Sequence, residues 1–329
     1  MTIHPLTFSV LQHYLNLLTT DFFGMMCKYS LPLLTSVAFA LAFDKQPTSS
    51  VAATPTLLSQ RAVSTNVASY VNDTSVYYLG YCTEDYVKYF FKYYNPKVAA
   101  ISEEVSVGLQ MSPYASALAF EATEAHKLLV QPGYLEIENG YATDANGTYM
   151  VTARTEMGTV TGEMSDWWFG WHLVDSSRYK LWNPVAHQYA WRYPNEWDWT
   201  NKAYAKRYIN TFSFIDEYLG ADSSKLTVAF VDPSELNIDK SKWAEQGIET
   251  MVVARIAAGV HETSDFNNHN RLIHQLRRLP NGRTGLCSRF WLQGINDQLA
   301  HGLVVHCNIE MTHLASFLPQ IFEEYKNTI

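Results

Sequence analysis

Beyond residue 130, apolar and polar positions alternate with the period of β-strands over several short segments, and a long helical pattern follows them. Alternation of this kind predicts half-buried strands. The segments are Leu135–Gly140, Tyr149–Thr155, Tyr208–Tyr218, Lys225–Val231, Met251–Ala258, Arg271–Arg278 and Thr284–Trp291. An Asn146-Gly147 pair between the first two segments is typical of a hairpin turn.

Helical spacing of apolar residues marks four other segments. They are Glu84–Tyr94, Ser112–Leu129 with breaks and a start after Pro113, the aromatic-dense block Met164–His172 with a helix start after Asp166, and a final helix from about Asn296 to Tyr325, which Pro319 is expected to kink or end. Antiparallel strands followed by one long helix indicate the α+β class. We therefore predict a curved antiparallel sheet wrapped around the C-terminal helix, with a cavity between them.

The final helix carries an imidazole and a carboxylate on one face, because His306 and Glu310 are four residues apart. Their neighbours are mostly apolar, so the carboxylate needs a partner. The pair is either a buried hydrogen bond or half of a metal site. A metal site needs further ligands, and His172, which ends the block D-W-W-F-G-W-H, is either such a ligand or a satisfied core residue. Glu217 is another, since it alternates with Ile215 and either faces inward or is a surface acid at a strand end.

Other chemically active residues have simpler interpretations. His313 shares the helix face of His306 and Glu310 and is their main rival as a ligand. His187, in N-P-V-A-H, is expected to orient the pocket from the core and not to bind metal directly. Cys307 is expected to pack. Ser288 lies in no G-x-S-x-G motif, so a nucleophilic serine is not predicted.

Composition limits the class of function. The chain of 329 residues is 47% hydrophobic and 17% charged, which indicates a folded protein. A formal net charge of −8 argues against nucleic acid as a partner. Aromatic residues reach 14%, which suits either a pocket for a flat, partly polar ligand or an aromatic core. Without Cys27, the cysteines Cys82, Cys287 and Cys307 allow one disulfide and a free thiol.

The first 42 residues form an apolar leader. Lys28, the apolar run Leu31–Leu41 and the small residues Ala40 and Ala42 have the order of a secretory signal peptide. The apolar run is too short for a comfortable membrane span. We expect a flexible lead-in over 43–67 and a single domain over 68–329, helical to about 130 and sheet-containing from about 131. Secretion is the favoured localisation and the cytoplasm is the alternative; sequons at Asn72 and Asn146 are compatible with secretion.

Several longer motifs carry a family resemblance from about residue 149 to 325. They read E-M-S-D-W-W-F-G-W-H, R-Y-K-L-W-N-P-V-A-H, R-Y-I-N-T followed by I-D-E-Y-L-G, and V-V-H-C-N-I-E-M with L-A-S-F-L-P. In these motifs the chain resembles the diacetylphloroglucinol hydrolase family, which includes phloretin hydrolase-like enzymes. The resemblance implies a helix-grip fold related to Bet v 1. It also implies a zinc-dependent hydrolase that cleaves a carbon–carbon bond between an acyl group and a phenolic ring.

Residue roles follow from the same resemblance. It implies a zinc site of two histidines and two glutamates, expected here as His172, Glu217, His306 and Glu310. It also implies a catalytic histidine, expected as His274, with His261 and His269 as rivals. Asp175 and Tyr179 are expected to bind the small phenolic substrate. Alternatives are a non-catalytic binder of aromatic metabolites, or a metal-dependent hydrolase of another bond; a homodimer is compatible with either.

Overall fold

The computed structural model describes residues 79–258 and 270–328. The predicted leader, the lead-in over 43–67, Asn72, His261 and His269 lie outside the described residues, so those expectations stay predictions. Among the described residues, no helix is both long and apolar enough to cross a bilayer. Cys82, Cys287 and Cys307 form no disulfide with one another, and the latter two are buried thiols.

Eight antiparallel strands form one sheet in the order β1-β2-β8-β7-β6-β5-β4-β3. The strands are β1 (Gly140–Thr143), β2 (Tyr149–Gly158), β3 (His187–Arg192), β4 (Phe212–Leu219), β5 (Asp222–Val231), β6 (Ile248–Ala258), β7 (Arg271–Arg278) and β8 (Thr284–Leu292). The helices are α1 (Glu103–Met111), α2 (Ala125–Leu128), α3 (Gly162–Trp171), α4 (Ser176–Trp182) and α5 (Asp297–Tyr325). The Asn146-Gly147 turn joins β1 to β2, as predicted.

The sheet curves around α5. This helix packs against β1 and β2 near one edge of the sheet and also against β4 near the other. In a flat sheet β2 and β4 would lie about 24 Å apart, roughly twice the width of a helix. Contact with both therefore requires a strongly curved sheet. The predicted α+β helix-grip fold is confirmed.

Two residues fix the position of α5. Buried Asn308 donates to the carbonyl of Arg154 and to Thr155 Oγ1 on β2, at 3.3 Å and 3.0 Å. Gly302 lies against the end of β4, where an added Cβ would come within 3.1 Å of the Leu219 carbonyl. A side chain there would push the helix away from the sheet. Pro319 does not end the helix, which continues to Tyr325.

The helix predicted over Glu84–Tyr94 is wrong. Residues 83–90 form turns and a bend, and only Phe91–Tyr93 forms a 3₁₀ turn in this segment. The rings of Tyr81 and Tyr94 stack with centroids 3.9 Å apart, whereas a straight helix would separate two such positions by about 20 Å. Aromatic packing therefore overrides the helical pattern here.

The helix predicted over Ser112–Leu129 is also largely wrong. Its segment contains two 3₁₀ turns and the single-turn α2. The regular helix lies upstream as α1, where Ser102 Oγ accepts a hydrogen bond from the Val105 amide. It ends at Met111, because Ser112 precedes a proline and such residues disfavour helical conformation.

Two elements beside the site were not predicted. They are α4, whose start is capped by Asp175, and the edge strand β3. Helix α3 covers most of its predicted segment, but it starts at Gly162 and not after Asp166. The first predicted strand moves from Leu135–Gly140 to β1, since the polar turn Asp144–Thr148 fixes the hairpin register.

Candidate metal centre and cavity

The first half of the site comes from the β3–β4 pair. His187 lies directly opposite Glu217 in the strand register, so the two side chains project side by side. His187 Nδ1 lies 2.9 Å from the carbonyl oxygen of Tyr179 on α4. The Tyr179 ring stacks on the imidazole with centroids 3.7 Å apart, and its hydroxyl donates to Glu217 Oε2. These contacts hold one imidazole and one carboxylate in fixed orientations.

The second half comes from α5. His306 Nδ1 lies 2.9 Å from the carbonyl oxygen of Tyr218, the residue after Glu217 on β4. The close approach at Gly302, one turn earlier in the helix, makes this contact possible. Glu310 follows one turn later and turns its carboxylate toward the same point, with Oε2 3.4 Å from His306 Nε2.

The four side chains converge on a small volume. The Nε2 atoms of His187 and His306 lie 3.3 Å apart. Glu310 Oε2 lies 3.3 Å from His187 Nε2, and Glu217 Oε2 lies 3.7 Å from both imidazole nitrogens. Ligand atoms of His187, Glu217 and His306 all fall within 4.8 Å of one another. All four residues are buried.

Hydrogen bonding makes this cluster a cation site. A backbone carbonyl only accepts, so His187 and His306 each carry a proton on Nδ1 and present the Nε2 lone pair inward. Two lone pairs 3.3 Å apart, flanked by two carboxylates, repel one another unless a positive charge lies between them. Either a proton or a metal ion satisfies them.

The pKa values show how strongly the cluster attracts positive charge. Burial lowers the pKa of His306, but the charges of Glu217 and Glu310 outweigh it and raise that pKa to about 9. Burial raises the pKa of Glu310, but the charge of a protonated His306 and the close contacts with both imidazoles outweigh it and bring that pKa to about 2. Without a metal, a proton on His306 would therefore occupy the place of the cation.

The donor set suits a divalent metal of zinc type. Two neutral imidazole nitrogens and two carboxylates are borderline-to-hard ligands, and their two negative charges balance a doubly charged ion. Backbone carbonyls hold the second nitrogen of each imidazole, as is common for metal-binding histidines. The residues present therefore fit a resident zinc ion.

A cavity of about 600 Å³ opens beside this cluster. Most of its wall is apolar, and Glu217, His306, Glu310 and Tyr179 line part of it. Its volume lies within the usual range for small-molecule sites. The wall includes Phe169, Leu173, Trp182, Ile215, Leu226, Phe230, Leu272, Phe290 and Leu303.

His274, the expected catalytic residue, lies on β7 in the cavity wall. Its Nδ1 lies 2.8 Å from the hydroxyl oxygen of Ser288, its direct neighbour on β8. Burial lowers the pKa of His274 to about 4, with Glu310 opposing the shift. The imidazole is therefore neutral at physiological pH.

His172 is not part of the cluster, which corrects the expectation that it is the fourth ligand. Its ring stacks on Trp168 at 4.7 Å and contacts Trp182 edge-on at 4.9 Å. Nδ1 lies 2.7 Å from the Trp168 carbonyl oxygen, and Nε2 has no hydrogen-bond partner in the described residues. It ends α3 in the aromatic core, whereas His187 occupies the position expected of it.

Two further expectations change. Asp175 was expected to bind substrate, but it does not line the cavity. It caps α4 by accepting from the Ser177 amide and forms an ion pair with Lys88 at 3.1 Å. His313, the rival ligand, packs against Phe317 outside the cluster. Tyr179, in contrast, lies in the cavity wall, and its role in substrate binding stays a prediction.

Sequence reasoning missed His187 as a member of the cluster. Its role depends on β3, an edge strand of six residues, and on the register that sets it opposite a glutamate thirty positions later in the chain. The run H-Q-Y-A-W-R after the N-P turn, with its aromatic residues at alternate positions, was the available signal for that strand.

Fold and site together define a helix-grip protein with a buried two-histidine, two-glutamate centre beside an apolar cavity. Residues 120–296, more than half of the chain, match the family model of the DAPG hydrolase PhiG domain. The chain belongs to this family.

Two relatives illustrate the relationship. Phloretin hydrolase of Eubacterium ramulus is 29% identical over 258 residues, which cover 73% of this chain and 91% of that protein. The 2,4-diacetylphloroglucinol hydrolase of Pseudomonas protegens is 27% identical over 224 residues, which cover 60% of this chain and 71% of that protein.

Proposed function

We propose that this protein is a zinc-dependent hydrolase that splits the carbon–carbon bond between an acyl group and a phenolic ring. The observation that carries the proposal is the pair of facing Nε2 lone pairs on His187 and His306, flanked by Glu217 and Glu310 at the wall of an apolar cavity. Such an arrangement binds a cation where a small aromatic molecule can reach it.

The names of the relatives support the type of substrate. Phloretin and 2,4-diacetylphloroglucinol are aryl ketones whose acyl groups are bonded directly to a phenolic ring. Neither has an ester or amide, so hydrolysis of either one must break the ring–acyl carbon–carbon bond. A mostly apolar wall that includes Phe169, Trp182, Phe230 and Phe290 suits a flat ring of this kind.

The reaction needs one water and no other reactant. Water adds to the acyl carbon, the bond to the ring carbon breaks, and the ring keeps the bonding electron pair. The ring carbon then takes a proton, which leaves a carboxylic acid and a phenol. The departing carbanion is stabilised when a ring hydroxyl is drawn into its ketone form, since the electron pair then becomes an enolate.

The residues of this chain have separate tasks in that reaction. His187, Glu217, His306 and Glu310 would hold the zinc, which supplies Lewis acidity next to the acyl carbonyl. Tyr179 holds the Glu217 carboxylate through its hydroxyl and forms part of the cavity wall. His274 faces the bound molecule with a neutral ring. Phe169 and Phe290 supply apolar wall next to the His274 ring.

A direct assay tests the proposal. The purified protein is incubated with phloretin or 2,4-diacetylphloroglucinol, and the released carboxylic acid and phenol are quantified. We expect equal amounts of both products, loss of activity with a chelator and recovery on addition of zinc. A zinc-loaded protein that binds these compounds without cleaving them would instead be a binder, and cleavage of other bonds only would leave the fold assignment standing without this substrate.

Secretion is proposed from residues 26–42 alone, and fractionation of the source cells tests it. Recovery of the mature chain outside the cytoplasm, with an N-terminus shortly after Ala42, is the expected result. Recovery of the chain in the cytoplasm with its leader intact would favour the cytoplasmic alternative.

A further inference from the structure

The histidines of the site have different partners at Nδ1. His187 and His306 face backbone carbonyls, which only accept hydrogen bonds. His274 faces the hydroxyl of Ser288 at 2.8 Å, and a hydroxyl either donates or accepts. Ser288, and not the backbone, therefore decides which nitrogen of the His274 imidazole carries the proton.

The direction of this hydrogen bond follows from the possible partners of Ser288. Its side chain is buried, and its hydroxyl lies 2.8 Å from His274 Nδ1 and also interacts with the thiol of Cys307. If His274 donated, the Ser288 proton would turn to the Cys307 sulfur, which is a much weaker acceptor than an imidazole nitrogen. If Ser288 donates to Nδ1, the thiol can donate to the Ser288 oxygen and every group is satisfied.

We propose that Ser288 holds His274 in the tautomer with its proton on Nε2, so that His274 offers a neutral N–H donor to the substrate. The catalytic part of this inference rests on the proposed hydrolysis. Ser288 is then a positioning residue, because it acts through His274.

The geometry directs that donor into the cavity. His274 lines the cavity, whereas Ser288 and Cys307 lie behind it in the wall. Opposed residues of β7 and β8 project to the same face, and Ser288 holds the Nδ1 edge of the ring. The Nε2 edge is the polar edge left to face the bound molecule, between Phe169 and Phe290, whose ring centroids each lie 5.7 Å from that of the imidazole.

A neutral donor fits the charge that develops in the reaction. When the ring–acyl bond breaks, negative charge accumulates on an oxygen of the departing enolate. A preorganised N–H group in an apolar cavity stabilises such an oxygen strongly. The low pKa of His274 keeps the ring uncharged, and Ser288 occupies the Nδ1 lone pair. His274 consequently acts as a hydrogen-bond donor and not as a general base.

Nitrogen NMR of protein labelled in its histidine rings tests the tautomer without substrate. The His274 signals are identified by their absence from His274→Gln. We expect the proton on Nε2 and an unprotonated Nδ1 in the wild type, and a mixture of tautomers in Ser288→Ala. A proton on Nδ1 in the wild type would overturn the proposal.

Kinetics of matched variants test the donor role. A glutamine side chain donates a hydrogen bond but is not a base, so His274→Gln should retain roughly tenfold more kcat than His274→Ala, which should lose about a hundredfold. Equal loss in both variants would contradict a donor role.

Ser288→Ala should lower kcat by about three- to tenfold with KM and zinc content unchanged, and Ser288→Thr should restore it. Loss of folding or zinc in Ser288→Ala, with no rescue by threonine, would assign Ser288 a structural role only. If the wild type cleaves neither test compound, the proposed function fails while the NMR experiment still decides the tautomer.

Discussion

Two buried histidines of this protein show how differently the same side chain is used. His172 and His187 both place Nδ1 against a backbone carbonyl, at 2.7 Å and 2.9 Å. Among the described residues the Nε2 of His172 has no hydrogen-bond partner, while the Nε2 of His187 faces His306 and two carboxylates. Both rings are therefore held in the same way at Nδ1, and they differ in the groups that surround Nε2.

The two histidines show that the most distinctive segment of the sequence is not the segment that forms the site. The tryptophan block around His172 is the most unusual string in the chain, yet it forms core packing in which Trp167, Trp168 and Trp171 are fully buried. His187 lies in an unremarkable segment, and only the strand register joins it to Glu217. An aromatic block explains how the core is filled, whereas convergence of donors from separate elements identifies the site.

The largest expected effect contrasts the two histidines directly. His187→Ala should reduce kcat on 2,4-diacetylphloroglucinol or phloretin by on the order of a thousandfold, because metal-assisted charge stabilisation contributes several kcal/mol. His172→Gln, which removes a ring from the core, should keep kcat within about threefold once folding is verified by circular dichroism. A comparable loss of kcat in both variants would contradict the assignment of His187 to the metal cluster and of His172 to the core.

His274 is a third buried histidine, and the effect of burial on its pKa makes the stability of the fold depend on pH. Its pKa is about 4 in the folded chain and about 6.5 when unfolded, so the unfolded state binds more protons between these values. Stability therefore falls as pH drops from 6.5 to 4, by about 3 kcal/mol from this group.

Urea denaturation of the wild type and His274→Gln across that pH range checks this prediction. The variant should lose less stability than the wild type as the pH is lowered. Parallel pH dependence in the two proteins would show that the His274 ring is not held neutral by the fold.

Tyr179→Phe tests the hydrogen bond that holds the Glu217 carboxylate beside His187. His172, outside the cluster, has no hydrogen-bonded carboxylate of this kind among the described residues. The substitution removes the hydrogen bond to Glu217 but keeps the ring stacked on His187. Affinity for zinc should fall about ten- to a hundredfold, as for other groups that orient metal ligands. Competition with a chromogenic chelator measures it, and unchanged affinity would mean that Glu217 does not need this support.

The smallest effect is expected at the helix contact behind His306. An alanine at Gly302 gains up to about 1 kcal/mol of helix propensity but crowds the Leu219 carbonyl. Net stability in Gly302→Ala should therefore change by less than about 1 kcal/mol, while zinc affinity falls because His306 shifts from Tyr218. A stability change without loss of zinc affinity would separate the helix contact from the site.

Sequence patterns predicted the parts of the molecule in which local signals agree. The strands β5 to β8 and the helix α5 have clear periodicity, and Glu217, His306 and Glu310 come together as expected. The position of His306 and Glu310 on one face follows directly from helix geometry.

The remaining features depend on long-range packing. The turns before α1 form because Tyr81 and Tyr94 stack, which a helical pattern does not reveal. Asp175 was expected in the pocket from the family resemblance, but it caps α4, an element with little periodicity over seven residues. His187 required the β3–β4 register, which a single sequence does not specify.

The zinc content of three purified proteins tests the central claim most directly. Elemental analysis after dialysis should find about one zinc per chain in the wild type and in His172→Gln, and almost none in His187→Ala. Zinc retained in His187→Ala but lost from His172→Gln would place the metal in the aromatic block and contradict the site described by the structure.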